Sequence, residues 1–263
     1  MVVATTGVDL DDIHEVENPY LYGDGSGSLS RFADRSPILR QPADAGVGFK
    51  WKFNDALGIA LGYTAGNAAT PTAGSGLFDG SYSAHASVNF TGAEGRFGAS
   101  LLYAHSYYSR QDFGTDPVTI LGSVGTSRSR DTFNGNSTVT DNVGLQAHYQ
   151  FSPRFNLNGW LGYTKAQDTT NTDEADLWTW GVGLTFPDLF KEGNLGAIFV
   201  GQPPTVTSAQ GVAKDSKTPI HLELLYKFAL NDNIAITPGA IAVFNADGSD
   251  TAYVGVIRTE FKF

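Results

Sequence analysis

The sequence predicts an all-β chain, a transmembrane antiparallel β-barrel, and three observations carry that prediction. Apolar and polar residues alternate with period two along most of the 263 residues, the mark of strands that present one apolar face. Connections alternate between short turns (53–56, 91–95, 152–154, 230–233) and longer polar loops (11–44, 67–79, 110–137, 203–217), so the two ends of the sheet differ. The last residues, Thr259-Glu260-Phe261-Lys262-Phe263, again alternate and finish on an aromatic.

The pattern resolves into about twelve strands, near 2–10, 45–54, 57–66, 80–91, 95–109, 138–152, 154–167, 175–186, 193–202, 218–230, 233–245 and 251–263. Val47, Phe49, Trp51 and Phe53 interleave with Gly48, Lys50 and Lys52, and Asn54-Asp55-Ala56 turns the chain into Leu57, Ile59, Leu61 and Tyr63. Tyr82 to Phe90 oppose Ser83, His85, Ser87 and Asn89, and Phe97, Ala99, Leu101 and Tyr103 follow. The clearest polar face belongs to 138–152, where Val143, Leu145, Ala147, Tyr149 and Phe151 oppose Gly144, Gln146, His148 and Gln150. Ser152-Pro153 leads into Phe155, Leu157, Leu161 and Tyr163; Trp178, Trp180, Val182, Leu184 and Phe186 alternate with Thr and Gly. Ile220, Leu222, Leu224, Tyr226 and Phe228 oppose His221, Glu223 and Lys227, and Asn231-Asp232-Asn233 turns into the strand that opens with Ile234-Ala235-Ile236-Thr237.

Composition narrows the function classes. The net charge of −10 argues against nucleic acid, whose phosphates require a clustered basic surface. With no Cys, disulfide frameworks, thiolate metal sites and thiol nucleophiles are excluded. Most strands are long enough to cross a bilayer when tilted, and no apolar run suits a transmembrane helix. A soluble sandwich, the alternative fold, hides its apolar face between sheets; a barrel turns that face to lipid and keeps water on the polar one. The inward set is rich in Gly, Ser, Thr, Asn, Gln and His, which a dry core does not accommodate. Aromatics sit at strand ends, at Trp51/Phe53, Phe90, Tyr149/Phe151, Tyr226/Phe228 and Phe261/Phe263, as interfacial girdles do.

The strings at 177–180 (LWTW), 186–196 (FPDLFKEGNLG), 200–204 (VGQPP), 230–239 (LNDNIAITPG) and 256–263 (VIRTEFKF) resemble cyanobacterial outer-membrane porins of the carbohydrate-selective, OprB-like family. Asn18-Pro19, 30–32 (SRF), 35–38 (RSPI) and 74–82 (GSGLFDGSY) are similar too, and the aromatic ending looks like the assembly signal of bacterial outer-membrane barrels. The resemblance implies a passive diffusion channel for small hydrophilic solutes or ions, with carbohydrates, inorganic ions and iron as cargoes. It also implies outer-membrane lipids around the wall, a homotrimer, and no cofactor. Family barrels are expected to have about sixteen strands. On this reading residues 1–263 are a porin barrel domain that lacks the family's signal peptide, surface-layer-homology domain and first strands, or else a shortened barrel closed on itself.

A channel selects by diameter and by the charge of its lining. The candidate constriction is 11–44, a loop too long for a mere connector, whose Arg31, Arg35 and Arg40 fold inward to face Asp9 and Asp11 across a transverse field. The other possibility is a solvated outer loop. Lys50, Lys52, His85, Gln146, His148, His221 and Glu223 join the lining by strand parity, although Lys50 and Lys52 can also snorkel at the interface. The acidic string Asp9, Asp11, Asp12, Glu15 and Glu17 is read as a solvated rim in preference to a Ca²⁺ or iron site. Gly23-Asp24-Gly25-Ser26-Gly27 lacks the Lys and helix of a phosphate loop and reads as a flexible connection. A barrel hydrolase is the reading from another class, but His105 and Ser106 fall on opposite faces and no G-x-S-x-G occurs. A soluble sugar-binding sandwich would instead use Trp178 and Trp180 as stacking platforms.

Overall fold

The computed structural model describes residues 1–23, 27–248 and 250–262. Asp24, Gly25 and Ser26 of the glycine-rich loop, and the terminal Phe263, lie outside the described residues. The strands are β1 (Val2–Ala4), β2 (Ala45–Lys52), β3 (Leu57–Ala65), β4 (Tyr82–Gly92), β5 (Phe97–Tyr108), β6 (Thr138–Ser152), β7 (Phe155–Asp168), β8 (Glu174–Pro187), β9 (Leu195–Gln210), β10 (Ile220–Asn231), β11 (Ile234–Ala246) and β12 (Asp250–Phe261). They form one antiparallel sheet of twelve strands, each paired with its neighbours in sequence. A sandwich needs a second sheet against its apolar face, and the described residues make only this one.

Two strand boundaries differ from the sequence reading by more than two residues. β1 stops at Ala4 instead of continuing to residue 10, because Val8, Leu10 and Ile13 turn inward and bury themselves, with Leu10–Ile13 forming the short helix α1. β9 runs on to Gln210 rather than ending at 202. Its Pro203 and Pro204 sit in a bulge, between the pairs Trp180↔Gln202 and Trp178↔Thr205, where the ladder does not need their missing N–H.

The polarity of the wall follows the parity of the sequence. On β6, Val143 and Leu145 are 43% and 51% exposed, whereas Asn142 and Gln146 on the other face are 0% and 5% exposed. The same division runs through Leu101, Leu161 and Val182 outside, and Ser100, Asn158 and Thr179 inside. The outward face has two boundaries. Towards the short turns, Phe97, Tyr149, Phe151, Phe155 and Phe186 make a continuous aromatic row, with centroid separations of 6.4, 4.7, 5.2 and 5.4 Å. Towards the long loops a charged row crosses four strands in register, His105↔Asp141↔Lys165↔Asp176. Tyr103 and Tyr163 each donate a hydroxyl to it at 2.6 Å, to Asp141 and Asp176. From Asp141 to Phe151, ten residues rising ~3.4 Å each at a tilt of about 40° span ~26 Å, the height of the apolar band of an outer-membrane barrel.

The opposite face is concave. Asp11 and Arg35 bond each other, yet Ile13 lies against Gly48 and Gly62 on β2 and β3 and Phe32 against Gly201 on β9, which draws together strands that would stand about 29 Å apart in a flat sheet at ~4.8 Å per strand.

Candidate functional site

Residues 8–23 and 27–41 lie across the concave face, seated where glycines remove side chains from the wall. Ile13 sits over Gly48 and Gly62, Ile38 over Gly144 and Gly162, Leu21 against Gly183 and Leu29 against Gly239. A Cβ on Gly162 would stand 2.7 Å from Ile38 Cγ1, so these close approaches exclude any larger residue without a shift. A second short helix, α2 (Arg31–Asp34), is capped by Ser30, whose Oγ accepts the Ala33 N–H at 3.2 Å. α2 drives Phe32 into Trp160 and Phe199, at centroid distances of 5.8 and 5.4 Å. The segment therefore lies against the inner face of the wall, and it is apolar where it meets that face.

The charges of the segment form a pairwise cluster instead of a field across open space. Arg35 bonds Asp11 and lies 3.6 Å from Asp34 and 4.0 Å from Asp9. Arg40 is buried, donating to Asp34 at 3.0 Å and to the Arg31 carbonyl at 2.6 Å. Burial and then the neighbouring Arg35 lower the Arg40 guanidinium to about 10, still cationic at neutral pH. Burial works against the charge of Arg35, yet Asp11 and Asp34 outweigh it and raise its pKa. Tyr22 donates to Asp11 at 2.5 Å beneath the Arg35 guanidinium; burial and that hydrogen bond push the phenol up to about 12. Asp9, although exposed, is raised by partial desolvation and by Asp11. Arg31 is exposed.

The wall residues read as lining divide into two groups. His85, Gln146, His221 and Glu223 are buried beneath the segment and hold it, so they are contacts with the segment and not free lining. His14 links Ser87 and His85, with Nδ1 2.7 Å from Ser87 Oγ and Nε2 2.6 Å from His85 Nδ1. Burial, followed by the proximity of His85 and Lys50, lowers the pKa of His14 to about 3. With Ser87, His14 and His85 all buried, this chain of hydrogen bonds is a fastening. Gln146 donates to the Glu15 carbonyl at 2.7 Å and accepts the Glu17 N–H at 3.2 Å. Lys50 and Lys52 remain exposed, Lys50 lying 3.9 Å from Glu15. They and His148, which meets Glu17 at 2.7 Å, line a cavity of about 290 Å³ with Glu15, Asn89 and Asp55 at the short-turn end.

A second inserted segment escaped the sequence reading. Within the connection between β5 and β6, Val118, Ile120 and Leu121 bury themselves against Leu10, Ile38 and Leu39 and against inward residues Leu177 and Val206. Part of the concave face at its long-loop end is thus covered by apolar side chains. The apolar run from Val118 to Leu121, broken only by Thr119 in a polar loop, was the available signal.

A wall with one apolar face and a folded segment across its polar face matches a known family model. The family of carbohydrate-selective porins, OprB family, covers residues 21–263. The chain belongs to the OprB family. Among curated relatives, the uncharacterized protein sll0772 of Synechocystis sp. is 32% identical over 285 residues, covering 99% of this chain and 51% of its own length. The uncharacterized protein alr4550 of Nostoc sp. is 31% identical over 261 residues, covering 94% and 45%. The chain therefore spans about half the length of the curated relatives it matches. An OprB porin crosses the bilayer by strands, and among the described residues no helix is long and apolar enough to do so.

Proposed function

We propose that the protein is a passive channel of the bacterial outer membrane for small hydrophilic solutes, carbohydrates foremost, with ions following the same wet path. Residues 8–41 are its constriction. The observation that carries this reading is the segment's seat on the polar face of a wall whose other face is apolar. Its charges favour uncharged cargo. Arg35 and Arg40 are matched by Asp11 and Asp34, and the exposed Asp9, Asp12 and Glu15 stand against Arg31, Lys50 and Lys52, so of the seven carboxylates of residues 8–41 a surplus of two is left. So near a balance gives only a weak preference for cations.

Reconstitution into vesicles tests it directly. Swelling in isotonic mono- and disaccharides should proceed at rates that fall with solute size, and a salt gradient across a planar bilayer should give a reversal potential near zero. Impermeability to every sugar by correctly inserted protein would refute the channel. A strongly ion-selective reversal potential would refute the balanced constriction alone.

A further inference from the structure

Residues 27–30 are gripped by their backbone, from two strands, by side chains of opposite charge. Arg258 on β12 donates Nη2 to the Gly27 carbonyl at 2.7 Å and Nη1 to the Ser28 carbonyl at 2.8 Å. Glu223 on β10, only 1% exposed, accepts the Leu29 N–H at 2.6 Å through Oε1 and the Ser30 N–H at 3.2 Å through Oε2. Two successive carbonyls thus meet a cation and the next two N–H groups meet an anion. Between these grips Leu29 enters the socket at Gly239 on β11. The supports on either side are also built. His221 Nε2 lies 3.3 Å from both Ser30 Oγ and Glu223 Oε2, and Glu260 stands 3.5 Å from Arg258 while pairing with Lys227 at 2.7 Å.

We propose that Glu223 and Arg258 are positioning residues that clamp residues 27–30 to the last three strands and thereby set how far the constriction stands out from the wall. This rests on the reading of residues 8–41 as the constriction. Lifting the turn would strip partners from a buried carboxylate and a largely buried guanidinium together, which is costlier than breaking neutral hydrogen bonds. Because backbone groups are held, the grip does not depend on the side chains of residues 27–30.

The chain has no Cys, so a thiol placed at the buried Ser28 reports the clamp without requiring conduction. Ser28→Cys in vesicle-inserted protein is treated with a membrane-impermeant maleimide. Glu223→Gln leaves one carbonyl oxygen for two N–H donors and turns an amide NH₂ toward the other; Arg258→Met removes both donors at the opposite end. Each should accelerate labelling about tenfold or more and raise the size of polymer that enters the channel. Should Glu223→Gln fail to insert, Arg258→Met reads the same quantity. Lys165→Met, which removes a charge from the outer face, should leave the rate unaltered. Unchanged labelling in the clamp variants, or an equal rise with Lys165→Met, overturns the clamp. Faster labelling in a protein that passes no sugar or ion would keep the clamp and discard the channel.

Discussion

Replacing Leu145 by Arg places a cation on the outward row of β6, where the hydrocarbon reading makes its sharpest demand. Leu145 lies four residues from Asp141 and six from Phe151, or ~10 and ~16 Å from the two boundaries at ~3.4 Å per residue and a tilt of about 40°. It therefore stands in the middle third of the apolar band. A midplane Arg on a barrel's lipid face costs roughly 2–4 kcal/mol and one at the interface about 0–1 kcal/mol. Val139, on the same row but beyond Asp141, is the matched position for Val139→Arg. Urea titration of vesicle-inserted protein, followed by the fluorescence of its four Trp residues, should show the large cost at 145 and the small one at 139. Equal costs at the two positions, or none at 145, would refute the assignment of this face to lipid.

Three further outcomes follow from the segment and its seat. Gly162→Ala sets a methyl against Ile38 Cγ1 and Thr179 Cγ2 and should cost about 1–3 kcal/mol by overpacking; Ile38→Ala in the same chain should recover part of it, and strictly additive costs would deny the contact. Arg35→Ala takes from Asp11 its guanidinium while Asp34 keeps Arg40, so the reversal potential should move toward cations, and a shift toward anions would dismiss the cluster. His14 is held neutral in the docked segment, with a pKa lowered from 6.5 to about 3, so docking is complete above pH 6.5 and weakens as pH falls through that window. The loss is roughly 1.4 kcal/mol per pH unit between those values. Hydrogen exchange of residues 10–16, corrected for intrinsic rates, should rise between pH 7 and pH 5 and should lose that dependence in His14→Gln; a pH-independent wild type would contradict the burial of His14.

The wall was legible because its two environments differ so strongly that period two survives in nearly every strand. β6 spans Thr138–Ser152, the same limits the alternation marks. Where the environment on the inner side changes, legibility fails. Val8, Leu10 and Ile13 belong to a small core inside the concavity, and a short stretch of apolar alternation cannot distinguish that from a strand. Pro203-Pro204 read as a stop because a bulge is a tertiary accommodation with no local signature. The site was half legible. Arg35 facing Asp11 was expected, but their contact, and the burial of Arg40 beside Asp34, depend on how the segment folds on itself. Spacing alone leaves Glu223 and His85 as wall residues; only the segment's path shows that they are fastenings. The charged outward row at Asp141, Lys165 and Asp176 also went unread, since alternation assigns it to the lipid side without marking where lipid ends.

The grip of Arg258 on Gly27 joins residues 231 positions apart in sequence, and this separation has a kinetic consequence. Residues 27–30 precede Arg258 by more than two hundred positions, so closing the clamp must wait for the hairpin of β11 and β12. Chains whose decisive contacts are so distant fold slowly, and until that hairpin arrives residues 27–30 have only the Glu223 half of their clamp. Assembly into the bilayer should accordingly finish from the C-terminal strands, with protease protection of residues 27–40 appearing as the slowest phase.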